Sequence, residues 1–548
     1  MNIAIISFQD NPDIIGAKYI HAFLMSHNYK SHLILQCDPD CTSDAAIFQF
    51  IADNNIEIVG ISLMSNEFFR ARQFAKEFKS RFKAIPLVFG GIHATIAPDE
   101  CLSVGDIVVR GEGEHTFLEL VRCIEEQRDF STLPGICLNH NNHLKLNPPA
   151  SLETDIDAYP FPQHLPKDMY VVRKKKVLRV DKELFRSISR YSGTFPNLIT
   201  TRGCPFSCTY CCNSALKELY VHYPVRKRSV ESVMAEILEI TSEHKDCLAL
   251  NIQDDCFLTY DHEWIYEFAR QYHRKVRIPF VVRTTPRHIN REKLSLLKES
   301  GLLMVMLGLQ SGSDRINREV FKRHVTSDAF LKATRIIGSL GLVAYYDVIL
   351  DNPYETEEDI LKTLKVIFQI PKPFQLQLFS LCFYQGTELY KKAIKDGLLF
   401  EDPRIDDNVR PRATIVNKLI SMSPTIPAAM IEYFMRYRKS TFVLGFINIF
   451  MLLNRVLLRP VSLLGLMHRA YGSKLLKTFR LIRYFGRTAI SKKLGNWERL
   501  KTDNLTNRHR GCASFLSHSS AVSSQGCNLQ QASLPRRARN IYRRKEEG

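Results

Sequence analysis

No stretch of this 548-residue chain reaches the 18 consecutive apolar residues that a membrane-crossing helix needs. The run from Phe442 to Leu453 is too short, and Arg455, Arg459 and Pro460 follow it at once. A basic leader ahead of a hydrophobic stretch is also missing. The first residues, Met1-Asn2-Ile3-Ala4-Ile5-Ile6-Ser7-Phe8, read as a buried strand rather than a signal peptide. Without a signal, fourteen cysteines in so long a chain point to a reducing cytoplasm and not to a disulfide framework. Asp and Glu are absent from residues 436–493, which hold 13 Lys and Arg. The remaining composition, 45% hydrophobic and 24% charged, suits two or three folded domains.

The net charge of +18 is therefore local. From residue 436 onward there are 23 basic and 4 acidic residues, whereas the first 435 hold 52 and 53. A basic, apolar appendage suits an interfacial helix on anionic lipid, through residues 440–490. It equally suits a helical cap that covers a domain and leaves its cations in water. Aromatic stacking motifs are missing, so no specific nucleic acid is expected. Residues 503–548 are polar and Ser-rich, the composition of a disordered tail, so Cys512 and Cys527 are not candidate ligands.

Against that background one segment stands out: Arg202-Gly203-Cys204-Pro205-Phe206-Ser207-Cys208-Thr209-Tyr210-Cys211-Cys212. Cys204, Cys208 and Cys211 are spaced x3 then x2. Soft thiolates select iron–sulfur clusters or zinc. Three on one loop can hold three corners of a 4Fe–4S cube and leave the fourth iron open to an outside molecule. A structural zinc wants four ligands, and Cys212, adjacent to Cys211, is a poor fourth. A zinc or iron–sulfur carrier without catalysis remains the alternative at this point.

Strand–helix alternation surrounds this segment on both sides. Candidate strands Asn2–Phe8, His32–Cys37, Glu57–Leu63, Pro86–Gly91 and Asp106–Arg110 predict an α/β domain over 1–147, a Rossmann-like, doubly wound parallel sheet. Pro-rich 148–195 reads as a linker. A second series, at Asn197–Thr201, Ala249–Gln253, Pro279–Arg283, Met304–Gly308, Ala344–Leu350 and Gln375–Leu381, predicts a partial (β/α)6 TIM-type barrel over 196–400. A mainly helical basic region follows over 401–502. The cysteine loop comes directly after the first barrel strand, where such barrels carry their chemistry.

The cysteine spacing, with Tyr210 before the third cysteine, resembles the signature of the radical S-adenosylmethionine (radical SAM) superfamily. The strand ending Gly90-Gly91-Ile92-His93 and the helix opening at Gly111-Glu112-Gly113-Glu114 resemble the cobalamin domain of cobalamin-dependent radical SAM enzymes. That resemblance implies a 4Fe–4S cluster on Cys204, Cys208 and Cys211, with S-adenosylmethionine on its open iron. It implies SAM contacts at Tyr210, Asp254, Asp255, Arg283, Gln310 and Ser311; the family often has Glu where Gln310 stands, so ribose bonding there is weaker. Cobalamin would lie against Ser62, Gly90, Gly91, Gly111 and Glu112, with His93 either lining its pocket or bonding structurally. The Asp-x-His-x-x-Gly motif that supplies a histidine to cobalt elsewhere is absent, which implies a lower face without that ligand. The activity implied is radical methylation of an unactivated carbon, with cyclisation or rearrangement on the same cofactors as the alternative. The partners implied are a small-molecule or lipid-like substrate and an electron donor such as flavodoxin or ferredoxin.

Overall fold

The computed structural model describes residues 1–37, 44–140, 143–189, 193–276, 278–399, 411–438 and 440–454. Residues 401–410 and 455–548 lie outside them, and with them most of the basic surplus and the expected disordered tail.

The first sheet is apolar on both faces. Strands β1 (Asn2–Ser7), β2 (Lys30–Leu35), β3 (Ile58–Ser62), β4 (Leu87–Gly90) and β5 (Ile107–Val109) pair in parallel. Ile3, Ile5, Leu33, Leu35 and Ile58 pack on one side with helices Gly16–Ser26 and Glu114–Glu125. Ala4, Ile6, Ile34, Val59 and Ile61 pack on the other with helices Ala45–Asp53 and Phe68–Arg81. Period-2 alternation thus fills two separate cores, which is what a doubly wound sheet requires. Two hairpins finish it: β6 (Ile136–His140) with β7 (His143–Leu146), and β8 (Met169–Arg173) with β9 (Lys176–Arg179). The order is β7-β6-β5-β4-β3-β1-β2-β8-β9.

The second hairpin corrects the reading of 148–195 as a linker. Met169, Val171 and Val172 are buried, and β8 adds in parallel to β2. The prolines that suggested a linker are concentrated before this strand. The basic run Arg173–Lys176 is its turn, with Lys174 and Lys175 at φ 48° and 62°, the left-handed backbone that tight hairpins demand.

The second sheet begins with β10 (Asn197–Leu198). A short antiparallel pair, β11 (Thr201–Arg202) with β12 (Arg226–Lys227), flanks the cysteine loop. Then come β13 (Leu250–Ile252), β14 (Phe280–Thr284), β15 (Leu302–Gln310), β16 (Val343–Leu350) and β17 (Gln375–Ser380). The order β10-β13-β14-β15-β16-β17 is parallel throughout, as a six-unit partial barrel requires. The expected first strand, Asn197–Thr201, breaks after Leu198. The Thr200 and Thr201 amides donate to the Asp254 carboxylate instead of continuing the ladder. Leu250, Ile252, Val282, Val305, Tyr346 and Val348 face the outer helices. The alternate residues, among them Gln253, Arg283, Met306, Tyr345, Asp347 and Gln377, are half-buried or line the inner side.

Helices Ile415–Met422, Ala428–Arg436 and Thr441–Leu453 contribute Leu419, Ile420, Ile431, Phe434 and Ile447 to the barrel core. The described part of the appendage is therefore a helical cap on one face. Among the described residues no helix is long and apolar enough to cross a membrane.

Candidate active site

Strand β1 lies between β3 and β2, so the winding of the first sheet reverses there. Ligands of such sheets bind in the crevice beyond the carboxyl ends at the reversal. A cavity of about 360 Å³ occupies that position. Its floor is glycine-rich, with Gly16, Gly60, Gly90, Gly91 and Gly111 beside Ser62. A Cβ placed at Gly16 or Gly90 would meet nothing within 4 Å, so both positions open into free space. At Gly91 (φ 88°) a Cβ would come 2.7 Å from the Leu63 carbonyl oxygen, so this glycine serves the turn. A shallow floor, open at Gly16 and Gly90, fits the flat face of a corrinoid ring.

The opposite wall is the approach to the cysteine loop: Ile199, Thr201, Arg202, Gly203, Gln253 and Asp255. The loop itself is pinned on two sides through Thr209. Its amide donates to the Phe321 carbonyl (3.0 Å), its hydroxyl to the Val320 carbonyl (2.7 Å), and its carbonyl accepts from the Leu389 amide (2.9 Å). Gly203 turns at φ 91°, where a Cβ would come 2.6 Å from the Pro224 carbonyl. The charge of Cys211 acts on both Cys204 and Cys208. Burial pushes the Cys204 thiol up to about 12 and raises that of Cys208, whereas the hydrogen bond from Cys212 lowers that of Cys211. Among the described residues no three His, Cys, Asp or Glu side chains close on a point as one metal ion demands. Three thiolates and no fourth ligand besides the adjacent Cys212 suit three corners of a cube.

Two arginines hold the two walls together. Arg202 donates to Glu114 (2.6 Å) and Glu112 (3.3 Å), and Arg226 donates to Glu112 (3.0 Å). The Glu112 amide donates to the Tyr220 hydroxyl (2.9 Å) on the helix that follows the cysteines. The Gly-Glu-Gly-Glu turn thus lines the cavity and also fastens the sheet to the cysteine loop.

The other expected contacts divide. Asp255 faces the cavity and accepts from Asn213 (3.0 Å), whose amide also reaches Cys211 Sγ (3.6 Å). The surrounding protein desolvates its carboxyl and raises its pKa. Arg283 donates to Gln253, and burial pulls its pKa down against the charges of Asp347 and Asp255. Tyr210 packs edge-on against Phe321, 4.8 Å between ring centres. Gln310 ends β15 in left-handed backbone (φ 63°) at a bulge opposite β16.

Six of the expected contacts do not line the cavity: Tyr210, Arg283 and Gln310, placed as above, and His93, Asp254 and Ser311. His93 is buried, with Nδ1 3.1 Å from the Ser65 hydroxyl and its ring 4.5 Å from that of Phe68, which is the structural role. Asp254 is buried under Thr200 and Thr201, and desolvation pushes its carboxyl up to about 6 against those hydrogen bonds. Ser311 is fully buried and donates to Glu355 (2.8 Å). Sequence reasoning missed Gly16, Tyr19 and Tyr223, which line the cavity. Gly16, opening the helix after β1, was the available signal.

Residues 1–121 match the B12 binding domain and residues 198–367 the Radical SAM superfamily. The chain belongs to the cobalamin-dependent radical SAM proteins, whose cofactors are a 4Fe–4S cluster, SAM and cobalamin. An uncharacterised methyltransferase of Pyrococcus horikoshii is 28% identical over 350 residues, 63% of this chain and 70% of that protein. An anaerobic magnesium-protoporphyrin IX monomethyl ester cyclase of Rubrivivax gelatinosus is 22% identical over 64% of this chain and 60% of its own length. Among solved structures, the radical SAM methyltransferase TsrM from Kitasatospora setae, with cobalamin and a [4Fe-4S] cluster bound, shares the fold. The TM-score is 0.58 at 15% identity, over 77% of this chain and 82% of TsrM.

Proposed function

We propose that this protein is a radical methyltransferase acting on an unactivated carbon of a small or lipid-like substrate. One observation carries the reading: a single cavity is walled by the glycine floor of the first sheet and by Arg202, Gly203 and Asp255 beside the cysteine loop. The cysteine loop bordering this cavity would hold the cluster, whose chemistry with SAM is a 5′-deoxyadenosyl radical, and the cavity would hold cobalamin, the methyl donor. Asp255 and the neighbouring backbone offer acceptors for the SAM ammonium, and Arg283 a cation for a carboxylate or hydroxyl. The apolar walls, Ile5, Tyr19, Val88 and Phe117 among them, exclude water that would quench a radical.

Electrons would enter beside the cysteine loop. A cleft of about 680 Å³ there is lined by Phe206, Ser207, Arg287, His288, Lys322 and His324, with Glu388 its one carboxylate. Lys322 is paired with Glu388, which leaves Arg287 as the cation this cleft offers an acidic donor of the flavodoxin or ferredoxin kind. Donor-supported turnover should fall as salt rises while turnover with a chemical reductant does not; equal salt dependence rejects the cleft. The reading takes the cytoplasm as the compartment, which the cysteine content supports.

Anaerobic reconstitution with SAM labelled in its methyl group tests the function. Label on the corrinoid together with 5′-deoxyadenosine supports it. The cyclase relative favours a second reading, cyclisation on the same cofactors, which would give 5′-deoxyadenosine with no label in the product.

A further inference from the structure

The helix Thr441–Leu453 carries no charged residue in its thirteen positions. Val443 and Ile447 are buried in the barrel core, with Phe450 and Met451 packed beside them. The opposite side presents Phe442, Phe446, Ile449 and Leu452 at 75, 44, 57 and 64% exposure. The spacing i, i+4, i+7, i+10 makes this one stripe along the helix. Tyr433 and Tyr437 expose their rings at the end of the preceding helix. A continuous apolar stripe of this length marks a docking surface rather than scattered surface residues.

Hydrogen bonds fix which end of the barrel the stripe begins at. Asp351, just past the carboxyl end of β16, accepts from the Arg412 amide and the Asn417 side chain, both at 2.8 Å. Arg438 pairs with Glu357, at the start of the helix that follows β16 (2.5 Å). The turn leading into Thr441–Leu453 therefore lies at the carboxyl-end side of the sheet, the side of the cysteine loop. At the far end, Asn454 meets Thr425, next to Ile426, whose carbonyl accepts from Lys372 ahead of β17.

Charge selects the occupant. Residues 436–493 hold 13 Lys and Arg and no Asp or Glu, with Arg436 and Arg438 before the helix and Arg455 and Arg459 after it. An apolar stripe bordered by tyrosines and flanked by cations is the composition of a helix lying in the interface of an anionic bilayer. We propose that the outer face of Thr441–Leu453 docks this protein on an anionic lipid surface along the flank of the barrel, a proposal that does not depend on the radical-enzyme reading.

Flotation of the full-length protein with phosphatidylglycerol–phosphatidylcholine vesicles tests it against phosphatidylcholine alone. Wild-type protein floats with the anionic vesicles, less at high salt and less with the neutral ones. The triple variant Phe442→Ser, Ile449→Ser, Leu452→Ser loses vesicle binding by roughly tenfold or more and keeps the wild-type melting temperature. If that variant fails to fold, Arg436→Glu with Arg455→Glu serves in its place and loses binding to the anionic vesicles only. Wild-type protein that stays at the bottom overturns the proposal. So does a triple variant that floats like wild type, or a stripe whose mutation splits a dimer without affecting flotation. Loss of SAM cleavage in wild type would reject the functional reading and leave the flotation result standing.

Discussion

Arg202 Nη2 donates to Glu114 Oε1 over 2.6 Å, joining the residue before the cysteine loop's glycine to the first turn of a helix on the other domain's sheet. Both side chains are shielded, at 13% and 6% exposure. Burial alone would raise the Glu114 carboxyl, but the charge and hydrogen bond of Arg202 overcome it and the pKa is lowered. Glu114→Ala leaves a shielded guanidinium with only its longer contact to Glu112, and should cost about 3 kcal/mol in chemical denaturation. Arg202→Ala with Glu114→Ala should cost less than the two single changes summed. Because the folded pKa is depressed, this stabilisation is present above the carboxyl's ordinary value near 4.5 and is lost as pH falls through the folded value.

Adjacent glycines in the floor should separate binding from folding. Gly90→Val projects into free space, so the melting temperature should hold while corrinoid binding, read from its visible absorbance, falls. Gly91→Ala forces a left-handed backbone and a close contact with the Leu63 carbonyl, so it should destabilise by about 1–3 kcal/mol. Equal effects on both properties in the two variants would contradict the floor assignment.

Glu355 offers a test of opposite sign. Burial pushes its carboxyl up to about 7, against the hydrogen bond from Ser311. A raised acid destabilises the fold as pH climbs from the unfolded value near 4.5 through the folded one. Glu355→Gln should therefore gain on wild type between pH 5 and pH 8, by at most about 3 kcal/mol. Thermal melts across that range read it. A flat difference would mean that Glu355 is not buried as described.

What was legible in the sequence follows from periodicity and spacing. Both sheets and the cysteine loop announce themselves because strand alternation and ligand spacing are local. Tyr170, Val171 and Val172 were masked by the prolines and lysines around them, so a sheet strand passed for linker. His93, Asp254 and Ser311 each follow the carboxyl end of a strand within three residues, where ligand contacts cluster. Only their partners, Ser65, Thr200 and Glu355, turn them inward, and those partnerships span 28 to 54 residues of chain. Arg202 and Arg226 were read past for the same reason: their carboxylates lie 88 and 114 residues away.

The most direct test is the iron content and 5′-deoxyadenosine yield of four single alanine variants, reconstituted anaerobically and reduced with SAM present. Cys204→Ala, Cys208→Ala and Cys211→Ala should each lose the cluster's absorbance and the nucleoside, while Cys212→Ala keeps both. Nucleoside formed at wild-type yield by any of the first three would contradict a cluster held by three thiolates with one iron open to SAM.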